Sequence, residues 1–230
     1  DHLRSAYCNT IGAEYMYILE PEIRDWIKEK LEKRNLNLPL KKKKRILEKL
    51  NETVVFEEFL HTKYIGQKRF SLEGGETTIP ALDAIINKTS EHGAKEVVIG
   101  MAHRGRLNVL ANTLGKTYEE IFNEFEGNGD PDSTMGSGDV KYHLGFTSQV
   151  TTTEGKNVRL KLCANPSHLE AVNTVVTGYV RAKTDMYYDR MRGNIASVLI
   201  HGDAAFAGQG IAYETIQMAM LEGYHVGGTI

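Results

Sequence analysis

Apolar positions in the second half of the chain follow two rhythms. Residues 97–99 (Val-Val-Ile) and 197–200 (Ser-Val-Leu-Ile) are short runs without a helical period. One stops at Gly100 and the other at His201-Gly202-Asp203, the pattern of buried strands that end in tight turns. Residues 158–164 (VRLKLCA) alternate apolar with polar and stop at Asn165-Pro166, which also predicts a strand. Longer stretches repeat with helical spacing. Residues 80–87 place Leu82, Ile85 and Ile86 on one face, with Pro80 at the start and Thr78 as a candidate cap. Ser167-His168-Leu169-Glu170 has the Ser-x-x-Glu form of a capping box and predicts a helix opening there. After the glycine-rich step 208–210, the positions Ile211, Ala212, Tyr213, Ile216, Ala219 and Met220 supply the apolar side of a further helix. Helix, strand, turn and helix alternate in this way from residue 66 to residue 230. The fold class expected is α/β, a parallel sheet flanked by helices.

The first 65 residues read differently. Residues 1–19 hold a tyrosine cluster (Tyr7, Tyr15, Tyr17) without a period. Pro21 opens a helix over 21–34, with Ile23, Trp26, Ile27 and Leu31 as its stripe. A second helix is predicted over 42–50, and a third over 54–63 with Val55, Phe56, Phe59 and Leu60 inward. Residues 1–65 thus form a small helical region, and 66–230 an α/β domain. The turn formers of residues 127–138 (GNGDPDSTMGSG) predict a mobile or solvent-facing loop.

Composition narrows the partners. A chain of 230 residues, 41 % hydrophobic, can bury one sizeable core and a helical annex. A net charge of −2 gives no electrostatic case for nucleic acid, and no run reaches transmembrane length. The basic block 41–45 lies beside Ile46, Leu47 and Leu50, as on the wet face of a helix. Cys8 and Cys163 have no metal spacing and form no disulfide framework, which fits a reducing compartment. No leader pattern is present, and the chain is expected to begin and end inside something larger.

Three expected strand ends each present a histidine: His103, His168 and His201. Ligands of open α/β sheets bind beyond the carboxyl ends of the strands, so these side chains could line one crevice with Asp203, and His143 could join them. Histidine donates to carbonyl or carboxylate oxygens and moves protons near neutral pH. Taken singly, each also fits a hydrogen-bonded structural role, as do His2, His61, His92 and His225. Arg104 and Arg106 flank Gly105 and could meet an anion closely or form surface ion pairs. The strand–turn–helix unit of 197–221 aims backbone N–H groups at one spot, which suits a diphosphate. Asp203 there implies a bridging metal ion, or else an ordinary helix cap.

IGMAHRGRLNVLAN (99–112), SGDVKYHLGF (137–146), ANPSHLEAVN (164–173) and IHGDAAFAGQG (200–210) together resemble the E1 component of the 2-oxoglutarate dehydrogenase complex, a thiamine diphosphate-dependent enzyme. RFSLEGGE (69–76) and YCNTIGAEYM (7–16) extend the resemblance over nearly the whole chain. It implies a diphosphate-binding portion, with an incomplete thiamine diphosphate fold, of a longer polypeptide. Asp203 is then the Mg²⁺ ligand, with Ala204 and Ala205 lining the cofactor. Arg104, Ser167 and Leu169 contact it as well, and His103 and His143 serve as catalytic histidines facing the keto acid. The resemblance implies an asparagine pair and an activating glutamate that do not occur within these 230 residues. The isolated chain is therefore expected to bind Mg²⁺ weakly and to be catalytically inactive. The implied whole protein is a homodimer that decarboxylates 2-oxoglutarate in the tricarboxylic acid cycle and passes the succinyl group to the lipoyl-bearing E2. It has no nucleic-acid or membrane partner and works in the bacterial cytoplasm or the mitochondrial matrix. A paralogue acting on 2-oxoadipate, or a non-catalytic phosphate-binding domain for the isolated chain, are the alternatives.

Overall fold

The computed structural model describes residues 2–34, 37–126, 142–188 and 190–230, with the side chains of Phe125, Asp203 and Met220 outside the description. The chain divides into two compact units, Asp1–Arg45 and Ile46–Ile230. The first contains α1 (His2–Tyr7) and α2 (Pro21–Glu32). Pro21 sits at the start of α2, where its missing N–H and fixed φ do no harm. The stripe of α2 is not a core: Ile23 and Trp26 are exposed.

In place of two helices, one continuous α3 (Leu40–Lys63) runs through Asn51–Thr53. The Thr53 hydroxyl donates back to the Lys49 carbonyl at 2.7 Å, which lets a polar residue stay inside the helix. Phe56, Leu60 and Tyr64 are buried in the main core, while Val55 and Phe59 are exposed. Residues 46–65, grouped above with the helical region, therefore belong by their contacts to the larger unit.

That unit continues through α4 (Thr78–Glu91), β1 (Glu96–Met101), α5 (Arg106–Asn112), α6 (Tyr118–Glu126), β2 (Phe146–Thr151), β3 (Asn157–Leu162), α7 (Ala171–Tyr187), β4 (Ile195–Ile200), α8 (Asp203–Gly208) and α9 (Gly210–Met220). The strands form one sheet in the order β2-β3-β1-β4. The three expected strands are mutually parallel, with Val97 opposite Leu160 on one side and Ala196 on the other. β2 was not foreseen and pairs antiparallel with β3 at the edge. Beyond β4, Thr229 bridges Ser197 in parallel, and Leu199 N–H donates to the Ile230 carbonyl at 2.9 Å.

Alternation along β1 divides the core. Val97, Ile99 and Met101 pack with Ile79, Leu82 and Ile86 of α4 and with the α3 side chains. Val98 packs on the opposite face with Val172, Val176 and Val180 of α7. The sheet is thus covered by helices on both faces, the α/β arrangement expected. Helix α9 lies against α7. No helix among the described residues is long and apolar enough to cross a membrane. The glycine-rich stretch 127–138 lies outside the described residues.

Candidate active site at the carboxyl ends of the parallel strands

Because β1, β3 and β4 are parallel, the segments that follow Met101, Leu162 and Ile200 leave the sheet on the same side. After β1 the chain makes a tight turn in which Arg106 N–H donates to the His103 carbonyl at 3.0 Å. Gly105 takes φ +76° there, and a β-carbon on it would lie 2.5 Å from Leu72 Cδ1. Its N–H donates to the Phe70 carbonyl at 2.9 Å, so the 69–72 segment is docked on the turn. Glu57 of α3 holds that segment from below, accepting from Ser71 Oγ at 3.0 Å and Leu72 N–H at 3.1 Å.

The His103 ring lies 5.1 Å from the Phe70 ring and 5.1 Å from the His143 ring. His143 Nε2 is 2.9 Å from Ser167 Oγ. Asn165 joins the two segments: its side-chain amide donates to the Met101 carbonyl at 2.7 Å, and its N–H donates to the His143 carbonyl at 3.0 Å. Tyr142, whose hydroxyl donates to the Lys68 carbonyl, sets its ring edge-on to Phe70 at 4.9 Å. Burial, followed by the nearby His143, Arg106 and Lys68, lowers the pKa of His103 below its ordinary value of 6.5, so its imidazole is neutral at pH 7.

A shallow cleft, open to solvent, is lined by Ala102, His103, Asn165, Ser167, Leu169 and Ile200. Its cavity volume is about 10 Å³, room for about one water molecule. On its far wall, Glu170 takes a left-handed backbone (φ 66°) and begins α7 without a side-chain cap. The capping box expected at 167–170 is therefore absent, because both of its side chains are engaged elsewhere. Ser167 meets His143, and Glu170 Oε2 accepts from Asn173 Nδ2 at 2.7 Å and lies 2.5 Å from His201 Nδ1. The His201 ring packs on Phe206 of α8 at 4.6 Å, which ties the start of α8 to the cleft wall. Likewise Thr77 precedes α4 without a side-chain cap, and the helix starts at Thr78 itself.

Of the residues singled out in the sequence, His103, His143 and Ser167 form one cluster, and Leu169 lines the same cleft with 48 % of its surface exposed. Arg104 is exposed beside them. Asp203 opens α8 behind Gly202, and Ala204 and Ala205 lie in its first turn. The Asp203 side chain is outside the described residues, and among the described residues no His, Cys, Asp or Glu group has metal-site geometry. Arg106 is neither an exposed cation nor a ligand contact, but wholly buried. Phe70, Asn165 and the Glu170–His201 pair had no signal beyond a strand stop and a helix start. Cys8 and Cys163 are both free.

The family profile described as "Dehydrogenase E1 component" matches residues 48–230. This chain belongs to the dehydrogenase E1 component family. Its curated relatives include the "Multifunctional 2-oxoglutarate metabolism enzyme" of Mycolicibacterium vanbaalenii, 54 % identical over 233 residues, which cover 99 % of this chain and 19 % of that protein. A protein of the same name from Mycobacterium sp. (strain JLS) is 54 % identical over 232 residues, 99 % of this chain and 18 % of its own length. The chain thus spans about a fifth of the length of these relatives. The E1 family works with thiamine diphosphate, and the residues here are compatible with it. The residues that line the cleft include no lysine or arginine, and their carboxylate, Glu170, is already engaged by His201 and Asn173. Asn165 Oδ1 is buried beside the cleft and has no hydrogen-bond partner among the described residues.

Proposed function

We propose that this chain is the diphosphate-side part of a 2-oxoglutarate dehydrogenase E1. The whole protein decarboxylates 2-oxoglutarate with thiamine diphosphate and Mg²⁺ and passes the succinyl group to a lipoyl-bearing E2. The observation that carries this reading is the His103–His143–Ser167 cluster at the parallel strand ends of a chain in the E1 family. The printed name of the 54 % identical relatives favours 2-oxoglutarate as the keto acid.

In this reading Asp203 supplies an anionic oxygen to Mg²⁺, and Ala204 and Ala205 border the cofactor. Ser167, Leu169 and Arg104 contact the cofactor from the cleft side. When bound, thiamine diphosphate supplies the electron sink that lets CO₂ leave. His103 and His143 face the keto acid. A neutral His103 can orient a carboxylate or carbonyl through N–H and accept a proton without first losing one. Lys68, Arg104 and Arg106 make the surroundings favourable to a dianionic substrate. The assembly proposed is a homodimer, cytoplasmic in a bacterial host such as those of the relatives.

The test uses the full-length protein. Calorimetry should show thiamine diphosphate binding that depends on Mg²⁺. Asp203→Ala should abolish it at ordinary Mg²⁺, with partial recovery at excess. CO₂ release should be faster with 2-oxoglutarate than with 2-oxoadipate. Equal or reversed preference would overturn the substrate assignment, and Mg²⁺-independent binding would overturn the role of Asp203.

A further inference from the structure

Among the described residues Arg106 is the largest fully buried side chain, and no carboxylate there pairs with it. Its guanidinium instead gathers backbone carbonyls. Nη1 donates to Met101 O at 3.3 Å, and Nη2 donates to Leu144 O at 2.8 Å and to Cys163 O at 2.6 Å. Nε is buried with no partner among the described residues. Each carbonyl belongs to a segment that carries a site residue. Met101 ends β1 two residues before His103, Leu144 follows His143, and Cys163 lies two residues before Asn165. Where parallel strands run out of ladder partners, their last carbonyls need donors. A planar fork of five N–H groups on three nitrogens spans carbonyls that diverge, whereas the three N–H groups of a lysine radiate from a single nitrogen.

A plain core residue would fill this volume more cheaply, because an unpaired buried cation is costly. Burial pushes the pKa of Arg106 down to about 10, so the charge is still present at neutral pH. We propose that Arg106 is a positioning residue of the site: by tying the carbonyls next to His103 and His143 to the end of β3, it holds the two imidazoles against each other and His143 against Ser167. The proposal rests on the reading that these histidines face the substrate, and it adds how their geometry is fixed. Arg106 itself touches neither substrate nor cofactor.

The test uses the full-length protein without cofactor. Each histidine is read separately by its rate of carbethoxylation with diethyl pyrocarbonate, followed by peptide mass spectrometry. Arg106→Lys keeps the charge but loses the fork, and it should raise the His143 rate by about 5- to 30-fold while His61 and His225 stay unchanged. Gly145→Ala disturbs the same loop without touching Arg106, because its β-carbon would lie 2.8 Å from the Leu162 carbonyl oxygen. It should reproduce the His143 exposure, and it decides the question if the Arg106 variants do not fold. In the holoenzyme, Arg106→Lys should lower kcat/KM for the keto acid by about 10- to 100-fold with cofactor affinity retained. In a His143→Ala background the same change should cost less than about 2-fold, because the two act through one element. An unchanged His143 rate in both variants, or fully additive losses, would overturn the positioning role. A full-length protein that releases no CO₂ from 2-oxoglutarate would refute the proposed function, while the carbethoxylation rates would still decide for or against Arg106.

Discussion

Strand β1 has a buried acid at its amino end and is followed by a buried base at its carboxyl end, and the two are satisfied in opposite ways. Glu96 is 1 % exposed, and both its oxygens accept from Lys183 Nζ, at 2.7 and 2.6 Å. The Tyr188 hydroxyl adds a third donor at 3.2 Å. That charge is cancelled and its hydrogen-bonding capacity is used, so nothing remains for a ligand. Arg106 is 0 % exposed, and among the described residues its hydrogen bonds go to carbonyls alone, which leaves a net positive charge near His103. One sheet therefore has a closed end, where the buried charge is paired with an ammonium partner, and an open end, where it meets carbonyls instead. The carbonyl dipoles stabilise the cation without neutralising it. Burial does not tell the two charges apart, since both are buried alike; their partners do.

The largest effects should come from the open end. In the full-length enzyme, His103→Ala should keep near-normal cofactor affinity and lose about 10²–10⁴ in kcat/KM, the range for a lost orienting or acid–base group. Steady-state kinetics at saturating cofactor, with calorimetry beside them, measure both quantities. Normal turnover once cofactor is saturating would make His103 a structural histidine and remove the contrast. At the closed end, Lys183→Met should do the reverse. It strands the Glu96 carboxylate in the core and should cost about 3 kcal/mol of stability, at the low end for a broken buried pair because Lys183 keeps some contact with water. Denaturant unfolding reads that loss, and kcat/KM per folded molecule should not move.

Much of the open end was legible in the sequence, because strand ends are marked by abrupt changes in local chemistry. The runs at 97–99 and 197–200 stop at glycine or at His-Gly-Asp, which located His103 and His201 at the carboxyl edge of one sheet. The turn and its docking were less visible. Nothing local distinguishes Arg106 from an exposed arginine, since its three acceptors are backbone atoms 5, 38 and 57 residues away. The Ser-x-x-Glu match at 167–170 is compatible with a helix cap, but the long-range partners His143 and His201 claim both side chains. β2 was missed because its alternation, Phe146 to Val150, is interrupted by polar residues that an edge strand can afford. Short-range pattern gives elements and ends, whereas the pairing of a side chain with a distant carbonyl is a tertiary fact.

A smaller effect tests the docking of the turn on Leu72. Gly105→Ala should destabilise the protein by roughly 1–3 kcal/mol, from left-handed strain together with the clash at 2.5 Å. Gly115→Ala shares the backbone term at φ +73° but meets nothing within 4 Å, and should cost about 1–2 kcal/mol. Equal losses in thermal or denaturant unfolding would mean that the Leu72 contact contributes nothing to holding the turn.

The smallest effect is on the pH dependence of stability, and it follows from the neutral state of His103. Burial, then His143, Arg106 and Lys68, lower its folded pKa below the ordinary 6.5. The cleft also contains the Glu170 carboxylate, but that group is already held by His201 and Asn173. Between the lowered folded pKa and 6.5, the unfolded chain holds a proton on this imidazole that the folded chain does not. The unfolded state then binds more protons, so stability rises with pH across that window and is flat above it. His103→Gln removes the titration. Relative to that variant, the parent protein should gain stability as pH rises towards 6.5 and keep it above. Arg106→Met should make the slope shallower by removing one cause of the shift. Denaturant midpoints measured at several pH values for the three proteins read these differences directly. A parent that loses stability relative to His103→Gln as pH rises would show that the folded state prefers the charged imidazole. The carboxyl end of β1 would then attract protons rather than anions.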